Sequence, residues 1–185
     1  AVHFHSETTT GKTTLLRMMR SIYGATAEAL PTWDQTARRL EEYAASCRDL
    51  PCLIDDSTGP AGTKNLEELI LRVVHSITSG RGRGRSKVVE SALLPAQMMR
   101  TIVVSTGNAP LILPSTSSAT LAAGDTVRLF NIAVPASSAG GMIDGGAAGL
   151  GSVSSARAER MFKQAERLVS RHQGALGARW VGYLE

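Results

Sequence analysis

The sequence contains little cysteine and no long apolar run. Its two cysteines, Cys47 and Cys52, are too few for a disulfide framework and lack the spacing of a metal-binding pair. No apolar run approaches the ~20 residues of a membrane span, and no signal peptide is visible. These absences predict a cytoplasmic protein with no membrane partner.

The composition is that of about one globular domain, with 185 residues of which 43% are apolar and 19% charged. The sequence begins without methionine shortly before its first motif, so we expect it to be a segment of a longer protein. The net charge is +4, and sixteen of the twenty basic residues are arginine. This excess is compatible with a polyanionic partner, and genome composition explains it equally well.

Apolar runs typical of strands alternate with amphipathic segments typical of helices. The predicted strands are residues 1–5, 28–30, 50–56, 101–105 and 127–134. The predicted helices are one that ends at Gly24, then 35–48, 65–79, 158–174 and a short last one over 175–184. This alternation predicts an α/β fold with a parallel sheet.

Several details of these segments are also predicted. Asp34 or Thr32 is expected to cap the second helix, and the last two strands are expected to be buried. His3 and His5 share one face of the first strand and are expected to be partly exposed. No third ligand lies near them, which disfavours a metal site there. Residues 136–155 are rich in Gly, Ser and Ala, which predicts a long loop that is either functional or disordered.

The segment from His5 to Thr14, HSETTTGKTT, ends like a phosphate-binding loop between a strand and a helix. Such a loop wraps backbone N–H groups around phosphates, while its lysine reaches the β and γ phosphates and its hydroxyl binds Mg²⁺. Lys12 and Thr13 supply those two groups here. The candidate nucleotide-binding residues are Ser6, Glu7, Thr8, Thr9, Thr10, Gly11, Lys12, Thr13 and Thr14.

Ser6 occupies the position where such loops normally have their first glycine. A β-carbon resists the positive φ that glycine accepts, so we expect a modestly perturbed loop.

The segment LIDD, Leu53 to Asp56, closes an apolar strand with two acids, one helix-sized crossover after the loop. Mg²⁺–ATP sites pair the loop with a carboxylate at the end of such a strand, which predicts that Asp55 binds the metal. Asp56 stands where a glutamate usually orients the attacking water. Its side chain is one methylene shorter than glutamate, so we expect it to act through a water bridge or to give slow ATP turnover. Alternatively, Asp56 caps the loop after the strand.

Two further segments carry polar or charged candidates. STGN, residues 105–108, follows the strand 101–105, and Thr106 or Asn108 is placed to sense the γ phosphate or hold the water. An ordinary polar turn explains STGN almost as well. Arg128 begins an apolar strand, where it forms either an ion pair, the favoured interpretation, or an arginine finger toward a nucleotide.

The segment GRGRGRSK, residues 80–87, places four basic residues between glycines. A flexible basic loop suits phosphate backbones, although a solvated surface loop is an equal alternative. The candidate nucleic-acid contacts are Arg81, Arg83, Arg85 and Lys87.

Taken together, the ordered motifs resemble the domain of unknown function numbered 927, found in phage, plasmid and integrative-element proteins. The matching pieces, in family order, are TTTGKTTLLRMMRSIYG, WDQT, Leu40–Glu41, LPCLIDD, SGRGRGRSK, VVSTGN, GDTVRLFNI and HQGALGARWVGYL. The match departs from the family at Ser6, Asp56 and Asn108, all around the nucleotide.

This resemblance implies a P-loop NTPase three-layer sandwich of the additional-strand, RecA- or AAA-like class, with a mostly parallel central sheet and a C-terminal helical segment. It implies a homo-oligomeric ring on single-stranded or forked DNA, with a primase or replication domain upstream. It also favours a role for Arg128 as an arginine finger across a subunit boundary. Glu41 becomes an alternative to Asp56 as the residue that positions the attacking water. The implied division is an ATPase core over 1–135, a loop over 136–155 and C-terminal helices over 156–185.

The main hypothesis is an ATP- and Mg²⁺-dependent, helicase-like ATPase that acts on DNA in mobile-element replication or transfer. A second hypothesis is a nucleotide-binding regulatory or assembly module with little or no hydrolysis, which the departures at Ser6 and Asp56 favour. A third, a small-molecule P-loop kinase, is disfavoured because no lid is recognisable.

Overall fold

The computed structural model of the protein describes residues 1–8, 10–24, 29–55, 64–82, 85–86, 93–94, 98–111, 128–136, 141–142, 155–175, 177 and 179. Its helices are α1 (Lys12–Tyr23), α2 (Ala37–Cys47), α3 (Lys64–Thr78) and α4 (Ser155–Arg171). Its strands are β1 (Val2–His5), β2 (Cys52–Ile54), β3 (Arg85–Ser86), β4 (Leu93–Leu94), β5 (Val103–Gly107) and β6 (Phe130–Ala133). None of these helices combines the length and the apolar character needed to cross a bilayer.

Four strands form one parallel sheet in the order β2-β5-β1-β6. β1 pairs with β5 and β6, and β2 pairs with the other side of β5. The α/β fold with a parallel sheet, predicted from the alternation of segments, is confirmed. Because all four strands run the same way, the residues that follow β1, β2 and β5 meet at one edge of the sheet.

Alternate side chains of the sheet pack into two separate apolar clusters. Leu53 and Val104 pack with Leu16 of α1, whereas Cys52, Ile54 and Val103 pack with side chains of α2 and α3. Successive strand residues point to opposite faces, so α1 covers one face of the sheet, and α2 and α3 cover the other.

The helix periodicity predicted α1 and α3 within a residue or two. Gly24 follows α1, as expected, and α3 buries Ile70, Val73, Val74 and Ile77. The predicted cap of α2 was wrong, because the Thr36 side chain accepts a hydrogen bond from Arg39 N and thereby caps the helix. Thr36 takes this role because it immediately precedes the first helical residue, where a hydroxyl reaches the N3 amide.

The expected burial of β6 was also wrong. β5 is buried along its whole length, but β6 is exposed, with Phe130 60% and Ile132 42% accessible. β6 is one of the two outer strands of the described main sheet. The other outer strand, β2, is buried because its side chains pack with α2 and α3, so the exposure of β6 depends on what covers the strand as well as on its place at the edge.

Helix α4 contacts α1 and buries Ala158, whereas Leu168 of its predicted apolar face is 51% exposed. Most of the Gly/Ser/Ala-rich segment 136–155 and most of the predicted last helix, 175–184, lie outside the described residues. The division into 1–135, 136–155 and 156–185 therefore stays a prediction.

Candidate functional site

The loop between β1 and α1 closes around the Lys12 side chain. Lys12 Nζ donates to the main-chain oxygens of Glu7 at 2.7 Å and Ser6 at 2.9 Å, and to Thr10 Oγ1 at 3.0 Å. An ammonium group has three donors, and Ser6 Oγ lies near it as a further acceptor at 3.5 Å. Lys12 is only 8% exposed, so its charge is held at the centre of the loop.

Ser6 fits this loop without backbone strain. Among the described non-glycine residues, only Arg48 has a positive φ, so Ser6 lacks the geometry on which the expected perturbation depended. The Ser6 hydroxyl lies 2.9 Å from Thr10 Oγ1 and 3.1 Å from Glu7 O. Ser6 N also donates to Gly107 O at 3.3 Å, which ties the start of the loop to the end of β5.

Gly11 is the point where the loop turns into α1, and its backbone needs glycine. Its φ is 88°, in the left-handed region that L residues adopt at a cost. A β-carbon at Gly11 would lie 2.0 Å from Cζ of Phe162. The ring of Phe162, on α4, therefore packs directly against the Gly11 backbone.

We expect Gly11→Ala to destabilise the protein by roughly 2 kcal/mol or more, since the left-handed backbone alone costs about 1–2 kcal/mol. The clash with Phe162 adds to this cost. The matched control is Gly24→Ala, where φ is 164° and a β-carbon meets no atom within 4 Å.

Urea unfolding of Gly11→Ala, Gly24→Ala and the double variant Gly11→Ala/Phe162→Ala measures both contributions. The double variant should recover part of the loss in a cycle corrected for Phe162→Ala alone, because only the clash is relieved. Equal stabilities of the two single glycine variants would contradict the described loop.

Two hydroxyl groups from different elements converge on Asp55. Thr13 Oγ1, in the first turn of α1, donates to Asp55 Oδ1 at 3.2 Å, and Thr106 Oγ1 on β5 donates to the same oxygen. The Asp55 backbone is fixed by a hydrogen bond from its N–H to Pro31 O at 2.8 Å. The strand order produces this meeting, because β5 lies between β1 and β2.

The loop and Asp55 border a common cavity of about 370 Å³. Its lining residues are Thr8, Thr10, Gly11, Lys12, Thr13, Thr14, Asp55, Thr106, Gly107 and Asn108. The structure thus brings together one lysine, one carboxylate and several hydroxyl groups, as the two motifs predicted.

The oxygens around Asp55 suit a hard divalent cation. Hydroxyl and carboxylate oxygens are ligands that Mg²⁺ accepts, and it uses one or two carboxylates together with phosphates and water. Thr13 Oγ1 and Asp55 Oδ1 are 3.2 Å apart, close to the ~3 Å between neighbouring ligands of an octahedral Mg²⁺ site with bonds of about 2.1 Å. The donor set therefore fits Mg²⁺.

Other predicted site residues lie away from this cavity or outside the description. Glu41 is 2% exposed on α2 and lines neither this cavity nor the neighbouring one described below. Arg128 precedes β6, at the amino-terminal edge of the sheet, with its carbonyl accepting from the Ala1 amino group. Asp56 and Thr9 lie outside the described residues. The roles of these residues stay predictions.

The basic segment is part of an antiparallel ribbon in the described residues. β3 pairs with β4, Arg85 opposite Leu94 and Ser86 opposite Leu93, and Arg81 forms an antiparallel bridge with Met98. The described pairs have the same register. Arg81 is exposed, whereas Arg83, Lys87 and the Arg85 side chain lie outside the description.

Sequence reasoning missed three contacts that the C-terminal part makes with the loop. Phe162 packs on Gly11, and Met142 N donates to Thr10 O at 2.9 Å. Glu166 Oε1 accepts from Thr14 Oγ1 at 3.2 Å and lies 3.9 Å from the Arg17 guanidinium. The helical periodicity of α4 places Phe162 on its apolar face, but no sequence signal identifies Gly11 as the residue that Phe162 contacts.

The expected partial exposure of His3 was wrong, because His3 is fully buried. Its Nε2 lies 3.0 Å from Ala109 O and its Nδ1 lies 2.9 Å from Ser105 Oγ. A carbonyl only accepts, so Nε2 carries the proton and Nδ1 accepts from the serine hydroxyl. Burial lowers the pKa of His3 to about 4, which keeps the ring neutral. His3 thereby anchors the segment that follows β5 and carries Asn108.

We expect acidification to weaken the fold through His3. Its pKa is about 4 in the folded protein and about 6.5 in the unfolded chain, so the unfolded chain takes up the proton first as pH falls. The stabilisation is complete above pH ~6.5 and is lost as pH falls toward ~4, by roughly 3 kcal/mol in total.

Urea unfolding of the wild type and His3→Gln across this pH range isolates the effect. His3→Gln should flatten the pH dependence of the free energy of unfolding, while His172→Gln, at an exposed position, should preserve it. If His3→Gln kept the wild-type slope, His3 would not be the group responsible.

Comparisons with known proteins bear on the fold and the family of the chain. Among solved structures, the chain resembles "SCCmec type IV Cch - active helicase", with a TM-score of 0.59 and 19% sequence identity. The alignment covers 99% of this chain but only 28% of that one, so the chain spans little more than a quarter of that helicase's length. The two share an α/β fold. No curated protein matches the chain.

The family model described as Domain of unknown function (DUF927) matches residues 1–92. That segment is just under half of the chain and runs from β1 through β3, and the resemblance stated from the motifs is confirmed over it.

Proposed function

We propose that the chain is the ATP-binding and ATP-hydrolysing core of a helicase-like motor that acts on DNA in the replication or transfer of a mobile element. One observation carries the proposal: the Thr13 and Thr106 hydroxyls meet on Asp55 beside the loop that encloses Lys12. The fold shared with part of a helicase and the family match support it.

The strand order supports an additional-strand P-loop NTPase. In that class, a strand that ends in a polar residue lies between the strand before the phosphate-binding loop and the strand before the metal-binding acid. β5 lies in the same way between β1, which precedes the Lys12 loop, and β2, which precedes Asp55. The polar end is Thr106, paired with Phe4 of β1. We accordingly propose a three-layer core over 1–135 in the RecA- or AAA-like class, with the helices of 156–185 packed on it.

The loop would bind the triphosphate through charge and backbone dipoles. The amino-terminal end of α1, at Gly11 and Lys12, presents N–H groups and the positive end of the helix dipole. Lys12 already lies among oxygens at 2.7–3.0 Å, and phosphate oxygens are acceptors of the same kind with more negative charge. Exchange of one loop oxygen for a phosphate oxygen would retain the ammonium's hydrogen bonding.

Thr13 and Asp55 would hold Mg²⁺, which neutralises charge on the β and γ phosphates when bound. Thr106 keeps the Asp55 carboxylate oriented by its hydrogen bond, and Thr106 or Asn108 would sense the γ phosphate. Asp56 or Glu41 would place the attacking water.

The position of Arg128 favours a role in the site of a neighbouring subunit. It precedes β6 at the amino-terminal edge, whereas Lys12 and Asp55 lie at the carboxyl-terminal edge of the same sheet. A strand rises about 3.3 Å per residue, so the length of β6 separates Arg128 from its own chain's site. We propose that Arg128 completes the site of the next copy in a ring.

The ribbon of β3 and β4 is the proposed DNA contact. Arg81, Arg83, Arg85 and Lys87 supply four positive charges at alternate positions, and the described pairs of the ribbon keep one register. Basic side chains would bind the phosphate backbone with an affinity that falls with salt.

A second candidate is a nucleotide-binding regulatory or assembly module with little or no hydrolysis. The favouring observation is that Asp55 is the one carboxylate among the described residues that line the Lys12 cavity. Asp55 is assigned to the metal, which leaves the water without a described base. A site of this kind would bind ATP and change oligomeric state without releasing phosphate.

Phosphate release from Mg²⁺–ATP, with and without single-stranded DNA, tests the motor function. A motor should release phosphate faster when DNA is added. ATP-dependent oligomerisation without phosphate release would instead establish the module, and phosphate transfer to a small acceptor would establish a kinase.

A further inference from the structure

The cavity of about 370 Å³ that Lys12 lines is called the phosphate cavity below. A second, larger cavity of about 580 Å³ adjoins it. The two share the lining residues Thr13, Thr14 and Asp55, so they border each other at the end of the loop. Side chains of α1 and of α4 both line the second cavity. Its volume falls within the range of about 300–1,000 Å³ that holds small ligands.

The polar groups of the two cavities differ in kind. Asp55 lines both cavities, but the phosphate cavity adds the Lys12 ammonium, whereas the second adds the Glu166 carboxylate together with Arg17 and Arg20. The Glu166 carboxylate can accept hydrogen bonds from neutral hydroxyl and amine donors, and a guanidinium plane can stack on a base. These groups suit the nucleoside part of a nucleotide.

Glu166 is held in place by two side chains of α1. Its Oε1 accepts from Thr14 Oγ1 at 3.2 Å and lies 3.9 Å from Arg17 Nη1. Both partners lie on α1, and Thr14 follows the residue that would bind the metal. Glu166 is 49% exposed and Arg17 57%, so the pair faces a cavity that a ligand can enter.

We propose that this second cavity is the nucleoside subsite and that Glu166 accepts a hydrogen bond from a nucleoside donor, either a ribose hydroxyl or an exocyclic base amine. Arg17 offers a guanidinium plane that can stack on a base. The proposal rests on the proposed nucleotide binding, and it makes α4 part of the nucleotide site. Thr14 marks the boundary between the phosphates and the nucleoside.

Binding of two probes, Mg²⁺–ATP and Mg²⁺–tripolyphosphate, separates the two cavities. Glu166→Ala should weaken ATP binding by roughly ten-fold or more, the effect of one hydrogen bond to a charged group. It should leave tripolyphosphate binding unchanged or tighter, because a negative charge is removed. The control Glu159→Ala, on the same helix and paired with Lys163 at 2.7 Å, should change neither.

Two analogues identify the donor. If the donor is a ribose hydroxyl, the wild type should bind 2′,3′-dideoxy-ATP more weakly than ATP, and Glu166→Ala should remove the difference. If the donor is the base amine, inosine triphosphate should show that behaviour instead. Either pattern supports the subsite.

A variant that fills the second cavity tests the subsite without changing Glu166. Ser170 lines the second cavity at an exposed position, so Ser170→Trp should fill it, weakening ATP binding and sparing tripolyphosphate. Equal losses for both probes, or no loss in Glu166→Ala and Ser170→Trp, would overturn the subsite while leaving nucleotide binding intact. A wild type that binds neither probe would overturn both the subsite and the proposed function.

Discussion

Replacing Lys12 by alanine should reduce ATP hydrolysis by roughly a hundred-fold or more, with and without DNA. The ammonium would stabilise charge on the transferred phosphate in a partly dry cavity, where the loss of one such donor costs about 10²–10³ in rate. Lys12 is 8% exposed, so bulk water cannot substitute for it.

The comparison variant is Lys163→Ala, which removes an exposed ammonium paired with Glu159 on α4. It should hydrolyse ATP at the wild-type rate. Because Lys12 also holds the loop through Ser6, Glu7 and Thr10, far-UV circular dichroism and urea unfolding must accompany the rates. Equal phosphate release by a folded Lys12→Ala variant and the wild type would eliminate the catalytic interpretation.

Replacing Asp55 by asparagine should reduce hydrolysis by a similar factor and raise the Mg²⁺ concentration needed for half-maximal activity. Asparagine keeps an oxygen that can accept from Thr13 and Thr106, but it lacks the charge that attracts the cation. A loss of metal affinity is therefore expected without a loss of shape.

Asp49→Asn is the matched control, because Asp49 is an exposed carboxylate bonded to Arg100 at 2.9 Å. It should leave both the rate and the Mg²⁺ dependence unchanged. Titration of activity with Mg²⁺ at fixed ATP measures the effect. An Asp55→Asn variant with the wild-type Mg²⁺ requirement would remove Asp55 from the metal site.

Local patterns predicted much of the fold because they depend on neighbouring residues. Apolar residues at helical spacing predicted α3 correctly, and glycine after α1 predicted where that helix ends. The apolar run of β6 predicted a strand correctly but not its exposure, since an edge and a central strand have the same local pattern. The cap at Thr36 fell within the usual uncertainty of helix boundaries.

The convergence of the β1–α1 loop and Asp55 was also predicted from sequence, since both motifs follow strands of one parallel sheet. Their meeting at a common cavity follows from the strand order, which places Thr106 beside Asp55. The burial of His3 was not predicted, because it depends on residues that are distant in sequence. Its burial depends on Ser105 and Ala109, more than a hundred residues later in the chain, and no local pattern contains that pairing.

Phe162 and Glu166 show what a sequence pattern cannot supply. Glu166 contacts Thr14 across 152 residues of sequence, so its role depends on how α4 packs against α1. The amphipathic pattern of α4 predicts that one face is covered, and it does not identify the covering element.

The exposed edge of β6 has a practical consequence for studies of assembly. Phe130 and Ile132 are accessible there, and an outermost strand offers backbone groups that can pair with the same strand of a second molecule. Such pairing closes after two copies, whereas a ring needs head-to-tail contacts. Light-scattering measurements of oligomeric state should therefore include Ile132→Lys, because a charge on this edge strand opposes strand pairing. Any oligomer that persists in this variant is assembled through other surfaces.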